Sequence, residues 1–242
     1  MTIRAVPSTV GAMRLDDQVL IFDADDTLWE NNLRFERAID AFLAEVAPFA
    51  PDRVAARAVL DGVETANAKV HGYGAEMFRR SLGEAFELLA HRPPGEGERD
   101  LFALLAASVT AAEVELIAGV AETLPRLALR HHLLVLTKGD QREQQAKLDA
   151  SGLLGHFRSV HIVPEKDLTA YQQLITGQAL AAERTWMIGN SPKSDILPAR
   201  SAGLNAVFIP NQHTWVLEGA ELDLADTGVL HLSSFAELGE HF

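Results

Sequence analysis

The chain has 242 residues, 48% of them hydrophobic and 23% charged, an ordinary balance for a globular protein that can hold a large domain and a smaller inserted one. The 34 acidic and 21 basic side chains give a formal net charge of −13. This charge argues against nucleic acid or an anionic membrane as a partner, because both require a basic surface. The absence of cysteine excludes disulfides, thiolate metal sites and cysteine nucleophiles.

The N-terminal segment, residues 1–16, contains Pro7, Ser8, Thr9 and Gly11 and is predicted to be a loosely ordered lead-in. It lacks the apolar core of a signal peptide, and no stretch approaches the roughly 18–20 apolar residues of a membrane span. We therefore expect a cytoplasmic protein that has no membrane partner.

The first predicted strand, Val19–Phe22, ends in three carboxylates within four residues, Asp23, Asp25 and Asp26. Where a strand passes into a loop, Asp23 and Asp25 can both point into one crevice. Two carboxylates held so close repel each other unless a cation or a shared proton lies between them. Mg²⁺ suits this arrangement, since it binds one or two carboxylates together with phosphate oxygens. An Asp-rich turn without any function is the alternative.

A helical pattern follows from residue 32 to about 108. Apolar residues at spacings of three and four predict a first helix that stops at Pro48. Further amphipathic helices are predicted over residues 53–70, 75–90 and 100–109. This block predicts an all-helical domain over residues 32–109, inserted in a core that comprises residues 1–31 and 110–242.

Beyond residue 110 short apolar strands alternate with helices. Strands are predicted at residues 132–136, 159–163, 185–188 and 206–209. Helices are predicted at residues 120–129, 142–150, 169–180 and 196–202. This alternation predicts an α/β fold with a Rossmann-like parallel sheet and helices on both faces. In such folds ligands bind at the carboxyl ends of the strands.

Polar residues follow three of these strands. Thr137 and Lys138 lie in a Gly-containing turn at a helix start, which suits phosphate oxygens, although an N-cap is the alternative for Thr137. Lys166 is placed to neutralise a nucleophilic carboxylate and a phosphoryl group, or it is an ordinary surface lysine. Asn190 and Asp195 offer oxygens to a hard cation, with helix capping as the alternative.

In this order the motifs resemble those of the haloacid dehalogenase-like (HAD) hydrolase superfamily, over nearly the whole chain. The first motif of that family, D-x-D-x-T, is similar to Asp23-Ala24-Asp25-Asp26-Thr27. Thr137 matches the Ser/Thr of the second motif and Lys166 the Lys of the third. The fourth motif is similar to Gly189-Asn190-Ser191 with Asp195. The resemblance implies a HAD-like core and identifies the helical insertion with a C1-type cap.

The resemblance implies a role for each matching residue. Asp23 would be the nucleophile that forms an aspartyl-phosphate, and Asp25 the acid and base. Thr137 and Lys166 would be catalytic and, with Lys138, bind the phosphate. The implied cofactor is Mg²⁺, bound by Asp23, Asp25, Asn190 and Asp195. Asn190 departs from the family pattern, which usually has Asp there, so we leave open whether Asn190 or Asp195 binds the metal directly.

The acid at Asp25 favours a phosphatase within this family, because dehalogenases of the family carry an aromatic residue at that position and need no metal. An acid there protonates an alkoxide as it leaves. The expected substrate is a small phosphorylated metabolite. A phosphomutase and a non-catalytic phosphate-binding relative are the alternatives.

Overall fold

The computed structural model describes residues 15–110 and 114–242. Its six strands are β1 Val19–Phe22, β2 His132–Lys138, β3 Ser159–Val163, β4 Thr185–Gly189, β5 Asn205–Phe208 and β6 Val229–His231. They form one sheet in the order β3-β2-β1-β4-β5-β6, and every pairing in it is parallel. The predicted α/β fold, a Rossmann-like parallel sheet with helices on both faces, is confirmed.

Nine helices are found in the described part of the chain. They are α1 Asn32–Val46, α2 Arg53–His71, α3 Ala75–Ala90, α4 Glu96–Val109, α5 Val120–Ala128, α6 Gln141–Ser151, α7 Leu168–Gln178, α8 Leu197–Ser201 and α9 Leu238–His241. Within these residues no helix is both long enough and apolar enough to cross a membrane.

The central strand β1 is buried on both faces because its side chains alternate between two hydrophobic layers. Leu20 and Phe22 belong to the layer that includes α5 and the C-terminal helix α9. Ile21 belongs to the opposite layer, with Tyr171 and Leu174 of α7. Since β1 lies between β2 and β4, the residue that follows it emerges in the middle of the carboxyl edge of the sheet.

Helices α1 to α4, which we call the helical insertion, pack around a hydrophobic cluster of their own. Its buried members come from residues 38–109, and its aromatic centre includes Phe42, Phe86 and Phe102, with ring centroids 5.7 Å apart in two pairs. The amphipathic pattern of each helix therefore serves a second core, separate from the two layers on the sheet.

The chain enters and leaves the insertion along paired segments. The Glu30 amide donates to the Glu115 carbonyl at 2.9 Å, and the Ile117 amide to the Leu28 carbonyl at 3.0 Å. Asp26 accepts bonds of 2.9 Å from the Asn31 and Asn32 amides at the start of α1. The first carboxylate-rich loop thus also fixes where the insertion begins.

The structure corrects the predicted elements in three places. The strand predicted at residues 206–209 spans residues 205–208, and a further strand that was not predicted, β6, pairs with it. Helix α4 begins at Glu96, where the Glu98 side chain accepts from the Gly95 amide, rather than at residue 100. The helix predicted at residues 196–202 is preceded by one turn of π-helix, Pro192–Ile196. The lead-in was predicted over residues 1–16. Of these, residues 1–14 lie outside the described residues.

Glu64 on α2 gives the insertion a pH-dependent stability. Burial, with the Asp61 charge, raises the pKa of Glu64 to about 7, so the folded state retains a proton that the unfolded state loses above its ordinary pKa of 4.5. Stability should therefore fall as pH rises through this window. Glu64→Gln lacks this titrating group. As pH rises from 5 to 8, we expect the free energy of unfolding of the parent protein to fall by about 2 kcal/mol more than that of Glu64→Gln.

Urea unfolding of both proteins at a series of pH values measures this difference. Glu87→Gln, on the exposed side of α3, is the matched control and should track the parent protein. Parallel stability curves for the parent and Glu64→Gln would show that Glu64 does not titrate in this range.

Candidate active site

Asp23 stands immediately after β1, and its amide donates to the Ile188 carbonyl of β4 at 2.9 Å. One carboxylate oxygen, Oδ1, accepts from Lys166 Nζ at 2.5 Å. The same lysine is paired with Asp195 Oδ1. The sequence separation between Asp23 and Lys166 is 143 residues, and the parallel sheet closes it because β1 and β3 end at the same edge.

Lys166 is therefore shared by two buried carboxylates. It is 4% exposed, and Asp195 is fully buried. Burial disfavours the charged lysine, but Asp195 and Asp23 outweigh it and raise its pKa above the ordinary value. Burial and the Asp195 charge raise the pKa of Asp23, against the opposing effect of Lys166. One cation thus holds two carboxylates that would otherwise repel each other.

The turn after β4 is built around Asp195. The Oδ2 atom of Asp195 accepts from the Ser191 amide at 2.9 Å, so that both carboxylate oxygens have partners in the protein. Gly189 is required here, because a Cβ at that position would collide with the Asp195 carboxylate. The Tyr171 hydroxyl of α7 donates to the Ser194 carbonyl at 2.9 Å and stabilises the same turn.

The Asp25 side chain turns away from Asp23 towards α6. Lys147 Nζ contacts both Asp25 oxygens at 2.8 Å, Trp29 Nε1 donates at 2.8 Å and Gln144 Nε2 at 3.0 Å. Burial alone would raise the pKa of Asp25, but the Lys147 charge and these hydrogen bonds lower it. The arrangement stabilises the ionised carboxylate in one orientation.

Thr137 at the end of β2 is buried and accepts from Gln144 Nε2 at 3.0 Å. Its neighbour Lys138 is directed into a different set of partners. Lys138 Nζ lies 2.5 Å from Glu218 Oε1 and 2.9 Å from Ser194 Oγ. The Lys138 charge holds the pKa of Glu218 at about 2, against the raising effect of burial. Glu218 therefore neutralises much of the charge that Lys138 would otherwise offer to a phosphate.

These residues line a single cavity of about 140 Å³ between the carboxyl edge of the sheet and the helical insertion. Asp23, Asp25, Thr137, Lys138 and Lys166 all line it, and so does Asn190. Asp195 lies behind this wall and reaches the cavity through Lys166. The structure thus brings together the residues that the sequence places after four separate strands.

The oxygens that could hold a metal ion are fewer than the family pattern suggests. The Thr27 hydroxyl lies 3.2 Å from Asp23 Oδ2 and 3.3 Å from Asn190 Oδ1, so these two oxygens converge. Across the described ranges no group of three His, Cys, Asp or Glu side chains is arranged to hold a metal. One carboxylate and one amide oxygen fit Mg²⁺, which completes its shell with water and phosphate oxygens.

Sequence reasoning missed Gln144, Lys147 and Glu218. Gln144 and Lys147 are three residues apart on α6 and so share one face, but the helix is so polar that the pair looks like part of a solvated surface. Glu218 lies in a short turn of 3₁₀-helix, Val216–Glu218, outside any motif. The only signal for the α6 pair is its closeness to the Thr137 turn.

Comparison with known proteins identifies the family. The family model for the haloacid dehalogenase-like hydrolases matches residues 18–203, which is more than half of the chain. The protein therefore belongs to the haloacid dehalogenase-like hydrolase family. A search of curated proteins found no match.

Solved structures show the same fold over nearly the whole chain. A haloacid dehalogenase-like hydrolase from Xanthomonas campestris is 25% identical, with 92% of each chain covered and a TM-score of 0.75. The HAD-hydrolase YfnB from Bacillus subtilis, bound to magnesium, is 17% identical, with 93% of this chain and 97% of that chain covered and a TM-score of 0.64.

A predicted phosphoglycolate phosphatase from Haemophilus somnus is 20% identical, with 92% of this chain and 96% of that chain covered and a TM-score of 0.60. Dehalogenases also match at similar levels. At such low identity these likenesses establish the fold and leave the reaction to be argued from the site.

Removal of Lys166 should destabilise the protein. Lys166→Met leaves Asp23 and Asp195 buried beside each other without a cation, which we expect to cost about 3–5 kcal/mol of unfolding free energy at neutral pH. Adding Asp195→Asn to this variant removes the repulsion and should restore part of the loss. Urea unfolding of the single and double variants measures both effects.

The exposed Lys193 supplies the control, because Lys193→Met removes the same charge outside the buried cluster. A loss below about 1 kcal/mol for Lys166→Met, or no recovery in the double variant, would contradict the shared-lysine interpretation.

Proposed function

We propose that this hydrolase is a phosphatase that cleaves a small phosphomonoester through an aspartyl-phosphate on Asp23, with Asp25 as acid and base. The observation that carries the proposal is the presence of both carboxylates in one cavity, Asp23 held by Lys166 and Asp25 held by Lys147. A catalytic nucleophile and an acid–base group require different environments, and these two aspartates have different cations.

The acid at Asp25 favours phosphate esters over haloacids. A halide leaves without a proton, whereas the alkoxide of an ester needs one. The Asp25 side chain lines the cavity and is oriented by Trp29, Gln144 and Lys147. Three donors thus hold one carboxylate in a single orientation and lower its pKa. Carboxylates with shifted pKa values are concentrated at functional sites.

The first step requires the protonated form of Asp25. An Asp23 carboxylate oxygen attacks phosphorus, the bond to the ester oxygen breaks, and the leaving oxygen takes the proton from Asp25. Lys166 offsets the charge that gathers on the phosphoryl oxygens, and Thr137 supplies a hydroxyl at the end of β2. In the second step Asp25, now ionised, accepts a proton from water as the water oxygen attacks phosphorus. The Asp23–phosphorus bond breaks, which releases phosphate and restores Asp23.

Lys147 favours the second step more directly than the first, because it stabilises the ionised form of Asp25 that accepts the proton. Its other contact is Asn31 Oδ1 at 2.9 Å, at the entrance to the helical insertion. Lys147 thereby connects the acid–base group to the segment that joins core and insertion.

Mg²⁺ is the proposed cofactor, and it would supply positive charge for the phosphate oxygens. Asp23 and Asn190 are the proposed side-chain ligands, with Asp25 through its backbone carbonyl, as the family resemblance implies. We assign Asp195 to Lys166, because its two oxygens accept from Lys166 and from the Ser191 amide. Among the predicted phosphate contacts, we expect Lys166 and Thr137 to matter more than Lys138, whose charge Glu218 offsets.

The helical insertion is proposed to be a cap that covers the phosphate site, with residues 1–31 and 110–242 as the core. Polar contacts join it to the core. Tyr73 OH donates to Glu165 Oε2 at 2.5 Å, and the Ala75 amide at the start of α3 donates to Glu143 Oε1 at 3.0 Å. A small phosphorylated metabolite is the proposed substrate class, since the cavity between the two parts is small.

Phosphate release from p-nitrophenyl phosphate and a panel of small esters, with Mg²⁺ and with chelator, tests the proposal. We expect metal-dependent release, reduced more than about a thousandfold in Asp23→Asn because the attacking oxygen is lost. Asp100→Asn, at an exposed position of α4, should leave the rate unchanged.

Halide release from 2-haloacids without added metal, in place of phosphate release, would instead assign the protein to the dehalogenases. Transfer of the phosphoryl group between two positions of a sugar phosphate, without release to water, would assign it to the mutases.

Lys147→Met should lower kcat for the best ester by about tenfold or more, with a smaller change in KM, because Asp25 loses its orientation while the phosphate contacts remain. Steady-state kinetics at saturating Mg²⁺ measures both constants. Arg142→Ala removes a charge from the exposed face of the same helix and should leave kcat within about twofold. An unchanged kcat in Lys147→Met would rule out an orienting role for this lysine.

A further inference from the structure

In the described structure carboxylates line both walls of the cavity, whereas cations line only one of them. Among the described residues that line it, all three cations belong to the core, namely Lys138, Lys147 and Lys166. The insertion contributes two carboxylates, Glu36 and Glu64. Its other contributions to this wall include four large apolar or aromatic side chains, which are Phe35, Ile39, Tyr73 and Met77. A molecule bound with its phosphate at the core would therefore place its organic part against an apolar wall with two acids.

Glu64 is the unusual member of that wall. The buried side of α2 consists of Ala56, Leu60, Glu64 and Asn67, a spacing of three and four that faces α3. Glu64 is only 3% exposed, and within the described structure its Oε2 atom has no hydrogen-bond partner. Asn67, three residues later, donates to Ser81 Oγ at 3.1 Å and to Glu84 Oε2 at 2.9 Å. Buried acceptors are nearly always satisfied, so the open position on Glu64 calls for a donor.

The nearby arginine is already committed elsewhere. Arg57 makes a two-pronged contact with Glu36, at 2.8 and 2.9 Å, and a further one with Asp61 at 2.7 Å. Its charge lowers the pKa of Glu64, but burial and Asp61 prevail and raise that pKa to about 7. Glu64 thus has a cation in its surroundings, while its Oε2 atom accepts no hydrogen bond in the described structure.

We propose that Glu64 accepts a hydrogen bond from the organic part of the substrate, so that this enzyme selects phosphomonoesters with a hydroxyl or ammonium group and rejects those with a second acid. The inference rests on the proposed phosphatase function. A carboxylate at the far end of the substrate would offer no donor to Glu64, and the ionised Glu64 would repel it. A hydroxyl or ammonium group would supply the missing donor, and the apolar side chains would cover the carbon chain between the two ends.

Matched esters test this selection. The set comprises propyl to hexyl phosphates, unsubstituted or with a terminal hydroxyl, amino or carboxyl group. Each is assayed for phosphate release by the parent protein with Mg²⁺ at a pH above about 7, where Glu64 is ionised. At the best chain length we expect a donor-bearing ester to exceed the unsubstituted one by about tenfold or more in kcat/KM. The carboxyl ester should be the poorest of the four.

Two variants test whether the preference for a donor-bearing ester depends on Glu64. Glu64→Leu removes the acceptor and should abolish the preference for either donor while raising kcat/KM for the unsubstituted ester. Glu64→Gln keeps an acceptor but loses the charge, so it should retain a preference for hydroxyl and lose a preference for ammonium. Comparison of these two variants therefore distinguishes the two kinds of donor. Glu87→Gln is the control and should reproduce the parent ranking.

The outcomes separate this inference from the function on which it rests. Hydrolysis of the alkyl esters without a donor preference, or with the same ranking in Glu64→Leu, would overturn the role of Glu64 and leave the phosphatase assignment standing. A preference for the carboxyl ester would overturn it as well. If neither p-nitrophenyl phosphate nor any member of the set is hydrolysed, the phosphatase function itself fails.

Discussion

The structure of this site depends on one lysine held between two buried carboxylates. Asp23 follows β1 and Asp195 lies in the turn after β4. Lys166 contacts both from the loop after β3. Because ions are costly to bury unless they are paired, this contact fixes three segments of chain relative to each other. It also keeps the Asp23 carboxylate close to a cation while its second oxygen stays beside the Thr27 hydroxyl.

The charges around this contact are balanced in pairs. Asp25 is matched by Lys147, and Glu218 by Lys138, while Asp23 and Asp195 share Lys166. Further carboxylates, among them Asp26 and Glu143, line the cavity without a lysine of their own in the described part of the chain. Asn190 fits this balance, because an aspartate there would add a further negative charge beside Asp23 and Thr27. In the proposed function a dianionic phosphate, with or without a cation, would be bound mainly by Lys166 and by hydrogen-bond donors.

The period of the apolar residues predicted the sheet and the four helices of the insertion, because buried strands and amphipathic helices leave strong patterns. β6 was missed because it has only three residues, and its place is set by pairing with β5. The motif residues Asp23, Thr137 and Lys166 were predictable from their positions after strands. Lys147 and Glu64 were not, since their roles arise from tertiary contacts that turn an apparently solvated lysine towards Asp25 and bury a glutamate.

Trp29 also gives the cavity an optical property. Its indole N–H donates to Asp25 Oδ1, and the ring is 1% exposed, while Trp215 lines the same cavity. The third tryptophan of the chain, Trp186, lies towards the opposite edge of the sheet near Gln18. One of the three fluorophores thus contacts Asp25, the proposed acid–base group, and a second lines the cavity. Changes in the protonation of Asp25 or in the filling of the cavity will therefore alter the intrinsic emission of the protein.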